Sequence, residues 1–182
     1  ASTVRIEFAA PPIVARLPMS ERALLDRFYW SGEAPDSHRA LTRTVDLRAV
    51  REAVLEFDEW HALTPGWNYG YVTVSTDGGA SWTILPATGT ASDNPNGAAY
   101  GTGYTGISDW THRTVDLSAY AGQMIQVGFE VVSLPNYGDL GWAIDNLAIE
   151  AIDWHDPGDS AEGWTLDGWQ AIDNARPPDY WV

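Results

Sequence analysis

Oxygen-bearing side chains recur near the ends of predicted strands, where they are placed to bind a hard cation. Asp58 and Glu59 close one predicted strand, Asn68 precedes the next, and Asp145 and Asn146 lie together near the end of a later one. Calcium takes about six to eight oxygen ligands from carboxylates, amides and carbonyls. These five residues therefore predict a Ca²⁺ site at one edge of a sheet. The alternative for Asp145 is that its carboxylate accepts backbone N–H groups at a bend, with no ion.

Strand glutamates offer a second kind of chemistry, because glycoside hydrolysis uses a pair of facing carboxylates. Glu56, Glu59 and Glu130 are the candidates, although most acidic side chains in proteins are merely solvated. Other catalytic signatures are missing from the sequence: it contains no HExxH, no GxSxG and no glycine-rich phosphate loop. A carboxylate-dependent hydrolase is therefore a minor alternative, and we expect the chain itself not to be an enzyme.

Aromatic residues in or beside the predicted loops offer a third possibility, which is stacking on sugar rings. A carbohydrate-binding module would use such rings together with Asp and Asn side chains that fix the sugar hydroxyls. The alternative is that the rings pack in the core and anchor loops. The aromatic residues in or beside these loops are Trp67, Tyr69, Tyr100, Tyr104, Trp110 and Tyr137, and all of them except Tyr100 are assigned to the ligand-binding set.

The segment YVTVSTDGGASW, residues 71–82, predicts a half-buried strand, a tight turn and the start of a second strand. Ser75, Asp77, Gly79 and Trp82 fit the spacing of the hairpin called the Asp-box. In such a hairpin the Asp side chain accepts N–H groups of the turn, and the Trp packs beneath it. The motif indicates a structural role in a secreted β-protein and does not reveal a catalytic centre.

Composition narrows the class of protein. Among 182 residues, 25 acidic side chains face 10 basic ones, and the formal net charge is −15. Such a surface disfavours nucleic acid and anionic membranes as partners and favours cations. The absence of Cys rules out disulfides and thiolate sites, and no apolar run approaches the roughly 18 residues of a membrane-spanning helix. We therefore expect a secreted or cell-surface protein.

An internal repeat organises the middle of the chain. Residues 43–49 read RTVDLRA and residues 113–119 read RTVDLSA, so six of seven positions match at a spacing of 70. Each copy leads into an apolar strand, at 53–60 and at 124–132. The repeat indicates either two related halves of a sandwich or a recurrent strand-to-loop corner.

Short predicted strands separated by Gly, Pro, Asn and Asp favour an all-β fold, an antiparallel β-sandwich of jelly-roll type with long loops. At most one short helix is expected, at Ser20–Arg27. We expect one domain over residues 1–182, cut from a longer secreted protein, with a polar loop at 153–163 before the closing strands. The remaining strands are predicted at Val4–Phe8, Phe28–Trp30, Thr83–Leu85, Gly141–Ile149, Trp164–Ile172 and Tyr180–Val182.

Three segments together resemble a known family. They are AVLEFDEWHALTPGWNYGYVTVSTDGGASW, DWTHRTVDLSAYAGQMIQVGFEVVS and GDLGWAIDNLAIE, which span most of residues 53–150. They resemble the β-sandwich region of immune-inhibitor-A-like (M6) secreted bacterial metallopeptidases, which is similar to MAM and galactose-binding-like jelly rolls. The resemblance implies a non-catalytic accessory module, with structural calcium near Asp58 and Asp145. Its implied partner is a neighbouring domain, or a protein or glycan at the cell surface.

Overall fold

A computed structural model describes residues 13–20, 26–33, 35–135 and 139–177. The predicted strands at Val4–Phe8 and Tyr180–Val182, and most of the predicted helical turn at Ser20–Arg27, lie outside these residues. Two three-residue 3-10 turns lie at Ser118–Tyr120 and Glu150–Ile152. The strands are β1 (Val14–Ala15), β2 (Arg27–Trp30), β3 (Ser37–Asp46), β4 (Val54–Leu63), β5 (Tyr69–Ser75), β6 (Thr83–Leu85), β7 (Gly106–Asp116), β8 (Met124–Ser133), β9 (Gly141–Ile149), β10 (Trp154–Asp156), β11 (Trp164–Asp167), β12 (Gln170–Asp173) and β13 (Ala175–Arg176).

Two antiparallel sheets form the predicted sandwich. The first sheet has the order β12-β2-β9-β4-β7, with β10 also paired to β9, and the second has the order β11-β3-β8-β5-β6. The short strands β1 and β13 pair separately. No α-helix occurs within the described ranges. The expectation of an all-β antiparallel sandwich is therefore confirmed.

The core lies between the two sheets. Because side chains alternate across a strand, one face of each strand points inward. Phe57 of β4 and Phe129 of β8 meet at a ring distance of 5.1 Å in an edge-to-face contact that joins the sheets. Trp142 of β9 packs on Phe129 at 5.7 Å and is fully buried. These aromatic contacts pack the two sheets together at the centre of the domain.

The outer face of the first sheet is also covered. Phe28 and Trp30 point away from the core into which Tyr29 points, and they form a second buried cluster with Leu17 and Trp60. The segment that carries Leu17 is fastened by Asn174, whose side chain accepts from the Leu17 N–H at 2.7 Å and donates to its carbonyl at 3.0 Å. The segment that carries Leu17 therefore covers part of the outer face of the first sheet.

The 70-residue repeat corresponds to a pseudo-two-fold relation between the sheets. Arg43 of β3 pairs with Val127 of β8, and the equivalent Arg113 of β7 pairs with Phe57 of β4, which is itself equivalent to Val127. The first corner leads from the second sheet to the first, and the second corner leads back. The interpretation as two related halves is confirmed.

The hydrogen bonds at the two corners follow the same relation. The Leu47 N–H donates to the Gln123 carbonyl at 2.9 Å, and the Leu117 N–H donates to the Ala53 carbonyl at 2.9 Å. Residues 53 and 123 are 70 positions apart, as are the two leucines. Both leucine side chains are fully buried. Each Val-Asp-Leu corner is thus fixed by a bond to the other half of the chain.

The aspartates of the two corners also match. Asp46 accepts from the Arg48 N–H at 3.0 Å, and Asp116 accepts from the Ser118 N–H at 2.8 Å. The Arg48 guanidinium holds the pKa of Asp46 at about 2, and the bonds from Ser118 lower the pKa of Asp116. Each aspartate therefore closes its own corner, as Asp does in turns.

Three local expectations require correction. The strand predicted at Trp164–Ile172 is two strands, β11 and β12, which lie in different sheets and are separated at Gly168, whose φ is 76°. Strand β5 is buried on both faces, whereas a half-buried strand was expected. Arg27, expected to end a helical turn, begins β2.

The hairpin between β5 and β6 has the expected turn chemistry. Asp77 accepts from the Ser81 N–H at 2.9 Å and from the Ser81 hydroxyl at 2.6 Å. The Ser75 hydroxyl accepts from the Gly79 N–H at 2.8 Å, and Gly79 has a φ of 91° that favours glycine. Hydrogen bonds from Ser81 hold the pKa of Asp77 at about 2.

Candidate functional site

The predicted calcium ligands lie in four different surroundings. Asp58 and Asn146 are the pair that comes into contact, because the Asn146 amide donates to Asp58 Oδ2 at 2.8 Å. His112 Nδ1 lies 3.1 Å from the other oxygen of Asp58. Asp145 is the register partner of Asp58, but its side chain is buried beside Gly158. The Asp58 carboxylate is thus partly exposed, whereas that of Asp145 is buried.

Glu59 is fully buried in an ion pair. Arg113 Nε lies 2.9 Å from Glu59 Oε1, and His61 Nδ1 lies 2.7 Å from Oε2. The indole N–H of Trp142 donates to Oε2 at 3.2 Å. The Arg113 guanidinium also lies over the ring of Tyr104 at 5.4 Å. Both oxygens of Glu59 are therefore satisfied by the protein.

Asn68 belongs to a separate buried cluster. Its amide donates to Asp139, and its carbonyl oxygen accepts from the Leu134 N–H at 2.8 Å. Asp139 also accepts from the N–H and the hydroxyl of Thr64, both at 2.7 Å. This cluster fastens the loop after β4 to the segment before β9.

As arranged, the five predicted residues do not form one coordination sphere. No group of three or more His, Cys, Asp or Glu side chains suited to a metal occurs in the described part of the chain. A hard cation needs several converging oxygens, and oxygens of Asp58, Glu59 and Asn68 already accept hydrogen bonds within the protein. Calcium binding remains a prediction for this protein.

The three glutamates considered for hydrolysis do not share a cleft. Glu59 is enclosed in the core, while Glu56 lies 3.7 Å from His112. Glu130 lies on the second sheet, where it contacts His38 Nε2 at 2.6 Å. The facing pair that a glycosidase requires is not formed by these three side chains.

The predicted sugar-stacking aromatics are mostly turned into the protein. Tyr69 and Tyr104 are each 1% exposed, and burial raises the pKa of both phenols. Trp110 packs edge-on against Phe28 at 5.7 Å. Trp67 is half-buried. Tyr137 lies outside the described residues, so its role stays a prediction.

Two other aromatic rings are exposed and border a groove. Tyr100 is 74% exposed and Trp82 is 36% exposed. They line a groove of about 370 Å³ on the outer face of the second sheet. We call this the outer groove, and the side chains that line it are His38, Tyr71, Thr73, Trp82, Ile84, Tyr100, Glu130 and Val132. The sequence pattern assigned Trp82 to the turn alone and left Tyr100 out of the binding set.

Comparison with known proteins places this chain in a family. The sequence profile described as "Immune inhibitor A-like, MAM domain" matches residues 23–174. The chain belongs to the immune inhibitor A-like MAM domain family. The resemblance inferred from the three central segments is therefore confirmed. The match also includes β2, β11 and β12, which lie outside those segments.

The relatives of this MAM domain are much longer proteins. Over 96 residues the chain is 36% identical to bacillopeptidase F of Bacillus subtilis (strain 168), an alignment that covers 52% of the chain and 6% of that protein. Over 138 residues it is 25% identical to the pre-pro-metalloprotease PrtV of Vibrio cholerae serotype O1 (strain M66-2), covering 74% of the chain and 14% of that protein. The chain therefore spans a small fraction of the curated relatives that it matches.

No helix among the described residues of the MAM domain is long and apolar enough to cross a membrane.

Proposed function

We propose that this MAM domain is a non-catalytic accessory module of a secreted or cell-surface bacterial peptidase of the M6 type, where it stabilises or positions a neighbouring domain. The observation that carries the proposal is the family match over residues 23–174, together with two relatives named as peptidases of which the chain covers 6% and 14%. A domain that is so small a part of its relatives is expected to have neighbours in the same polypeptide.

The buried acidic side chains are bound to partners within the protein, which supports an accessory role. Glu59 is neutralised by Arg113, Asp139 accepts from Thr64 and Asn68, and Asp156 accepts from the Trp164 indole at 2.7 Å. Buried carboxylates with these partners stabilise the fold, because an unpaired buried charge is costly. These carboxylates therefore have a structural role.

An apolar depression at one end of the first sheet fits a neighbouring domain. Ile107 of β7 is 83% exposed and lies beside Ala62, Pro65 and Leu140, which line a depression of about 290 Å³. An exposed apolar patch on a soluble domain commonly marks an interaction site. We call these four residues the end patch. Its proposed occupant is an adjacent domain of the same polypeptide.

The surface charge supports an extracellular location. A net charge of −15 favours solubility and disfavours anionic membranes and nucleic acids as partners.

The proposal is tested in the native polypeptide that contains this chain. Deletion of residues 23–174 is expected to lower the unfolding midpoint of the remaining protein by several degrees and to reduce its secreted yield. The Ile107→Asp variant is expected to reproduce part of this loss, because it places a charge in the end patch. Met124→Asp is the matched control, since Met124 is also an exposed apolar strand residue but lies on the other sheet.

Unchanged stability and yield after the deletion would overturn the accessory role. Equal effects of Ile107→Asp and Met124→Asp would not contradict the accessory role. They would show that the end patch is not the surface on which the neighbouring domain docks.

A further inference from the structure

The outer groove lies on a face of the second sheet that carries alternate side chains of three neighbouring strands. Val72 and Phe129 point into the core, so Tyr71, Thr73 and Glu130 point outward. Tyr71 and Glu130 are direct register partners on β5 and β8. The floor of the groove is therefore built on strands, which hold side chains more rigidly than loops do.

Trp82 forms one wall of the outer groove and is held by close packing. An ideal Cβ at Gly128 would overlap Oγ1 of Thr73 and lie 3.1 Å from Cζ3 of Trp82, so glycine at this position of β8 leaves room for both side chains. A Cβ at Gly79 would lie 3.7 Å from the same ring system. The turn between β5 and β6 thus places the indole across the sheet while leaving a third of it exposed.

Tyr100 also lines the outer groove and is fixed to its floor. Its backbone N–H donates to the Tyr71 hydroxyl at 3.0 Å, and the two rings meet edge to face at 6.4 Å with an interplanar angle of 66°. Burial raises the pKa of Tyr71 to about 12, so its phenol keeps its proton at neutral pH. Tyr71 is itself buried, so its role in the groove is to hold Tyr100 in place.

A polar group completes the floor. Glu130 Oε1 accepts from the Thr73 hydroxyl at 2.6 Å, and Oε2 lies 2.6 Å from His38 Nε2. The His38 side chain is 61% exposed, whereas that of Glu130 is 15% exposed. The groove therefore offers fixed hydrogen-bonding groups beside two exposed aromatic faces.

This combination suits an amphipathic ligand with flat apolar faces and hydroxyls around its rim, which is the chemistry of a pyranose sugar. Aromatic faces pack on the C–H face of such a ring, and polar groups at the groove floor fix its hydroxyls. The carboxylate of Glu130 and the net charge of −15 disfavour sugars that carry carboxylates or sulfates. The groove volume of about 370 Å³ is suited to one or two sugar rings.

We propose that the outer groove is a binding site for neutral pyranose units of a polysaccharide, with Trp82 and Tyr100 as stacking platforms and Glu130 and His38 as hydroxyl partners. The site lies on a different sheet from the end patch. It is therefore independent of the proposed docking of a neighbouring domain.

Isothermal titration calorimetry with the purified chain tests the site. The probes are cellohexaose, mannohexaose, galactohexaose and N-acetylchitohexaose, with hexagalacturonic acid as the charged counterpart. Binding of at least one neutral oligosaccharide and none of the galacturonic acid is expected. Tyr100→Ala is expected to weaken binding by at least about tenfold, as loss of an aromatic hot spot does. Trp82→Ala and Glu130→Gln are expected to weaken it as well.

Ile107→Ala is the matched control, because Ile107 is more exposed than either aromatic ring and lies outside the groove. Tyr100 is largely exposed, so its removal tests the site even if Trp82→Ala unfolds the domain. The proposal is overturned if none of the four neutral probes binds, or if Tyr100→Ala and Glu130→Gln bind as the unaltered chain does. Binding of an arginine-rich peptide in the same groove, with none of the sugars, would overturn it in favour of a peptide site.

Discussion

Arg43 and Arg113 occupy equivalent positions in the two halves, and each guanidinium lies over an aromatic ring beside a buried carboxylate. Arg113 lies 5.4 Å from the centre of the Tyr104 ring and 2.9 Å from Glu59. Arg43 lies 5.0 Å from the centre of the Trp154 ring and 3.7 Å from Asp156. The repeat thus preserves the arginines, while their aromatic and acidic partners come from unrelated parts of the sequence.

Loss of the Glu59 charge is expected to destabilise the domain strongly. In Glu59→Gln, Arg113 stays largely buried without its counter-ion, and breaking a buried ion pair in this way costs about 3 to 5 kcal/mol. Urea unfolding followed by tryptophan fluorescence measures the change. Asp46→Asn is the control, because the Asp46–Arg48 pair has a similar distance of 2.7 Å but is exposed, and its loss should matter far less. Equal effects of the two substitutions would contradict this account of Glu59.

The two corner leucines are expected to contribute alike. Leu47→Ala and Leu117→Ala each remove a fully buried side chain, and such truncations cost roughly 2 to 5 kcal/mol. Equilibrium denaturation of both variants tests the equivalence of the halves. Val54→Ala, at an exposed position of β4, should change stability by less than about 1 kcal/mol. A large loss of stability from one substitution and none from the other would show that the two leucines have equivalent positions but do not contribute equally to stability.

Asp77 is expected to stabilise the domain in a pH-dependent way. Its pKa of about 2 in the folded protein lies below the usual 3.8, so its contribution is complete above about pH 4 and is lost as the pH falls towards 2. Asp77→Ala should therefore lower the unfolding midpoint at neutral pH, and the difference from the unaltered protein should shrink across that range. Thermal scans from pH 7 to pH 2 measure this, with the exposed Asp167→Ala as control. A difference that persists unchanged at pH 2 would contradict the role of the charged carboxylate.

Calcium is expected to have at most a weak effect through Asp58 and Asn146, because the other predicted ligands are engaged elsewhere. A site with a Kd near the calcium concentration stabilises by only about 0.4 kcal/mol. Thermal unfolding with calcium near 2 mM, the order of magnitude at which extracellular sites bind, and then with chelator should show a shift of no more than a few degrees. Asp58→Asn should remove this shift, and Asp145→Asn should not. A much larger shift that survives Asp58→Asn would place a stronger site in other residues.

The sequence was informative wherever local chemistry decides the structure. The bounds of β6 and β9 agree with the predicted strands at Thr83–Leu85 and Gly141–Ile149, because turn residues delimit both. The side-chain bonds of Asp77 follow from the turn itself. The repeat also predicted the paired corners, since identical short segments tend to make the same local bonds.

The surroundings of the candidate site residues were not predictable in the same way. Alternation placed Tyr69 and Tyr71 on one face of β5, but it did not show that this face is covered by the segment around Tyr100. Nor could spacing show that Trp82 reaches over Gly128, which is far away in sequence. Which rings are exposed depends on strand order and loop placement, and one sequence does not contain that information in a local pattern.

The crossed pairing of the two halves has a consequence for how the chain folds. Strands β3 and β4 find their main partners in β8 and β7, so the central ladders join residues separated by tens of positions. Such a high contact order predicts slow folding. A fragment of residues 1–105 would lack both partners, and we expect its circular dichroism spectrum to be that of an unfolded chain. Neither repeat is thus a folding unit, and during synthesis the sandwich can close only after its later half has emerged.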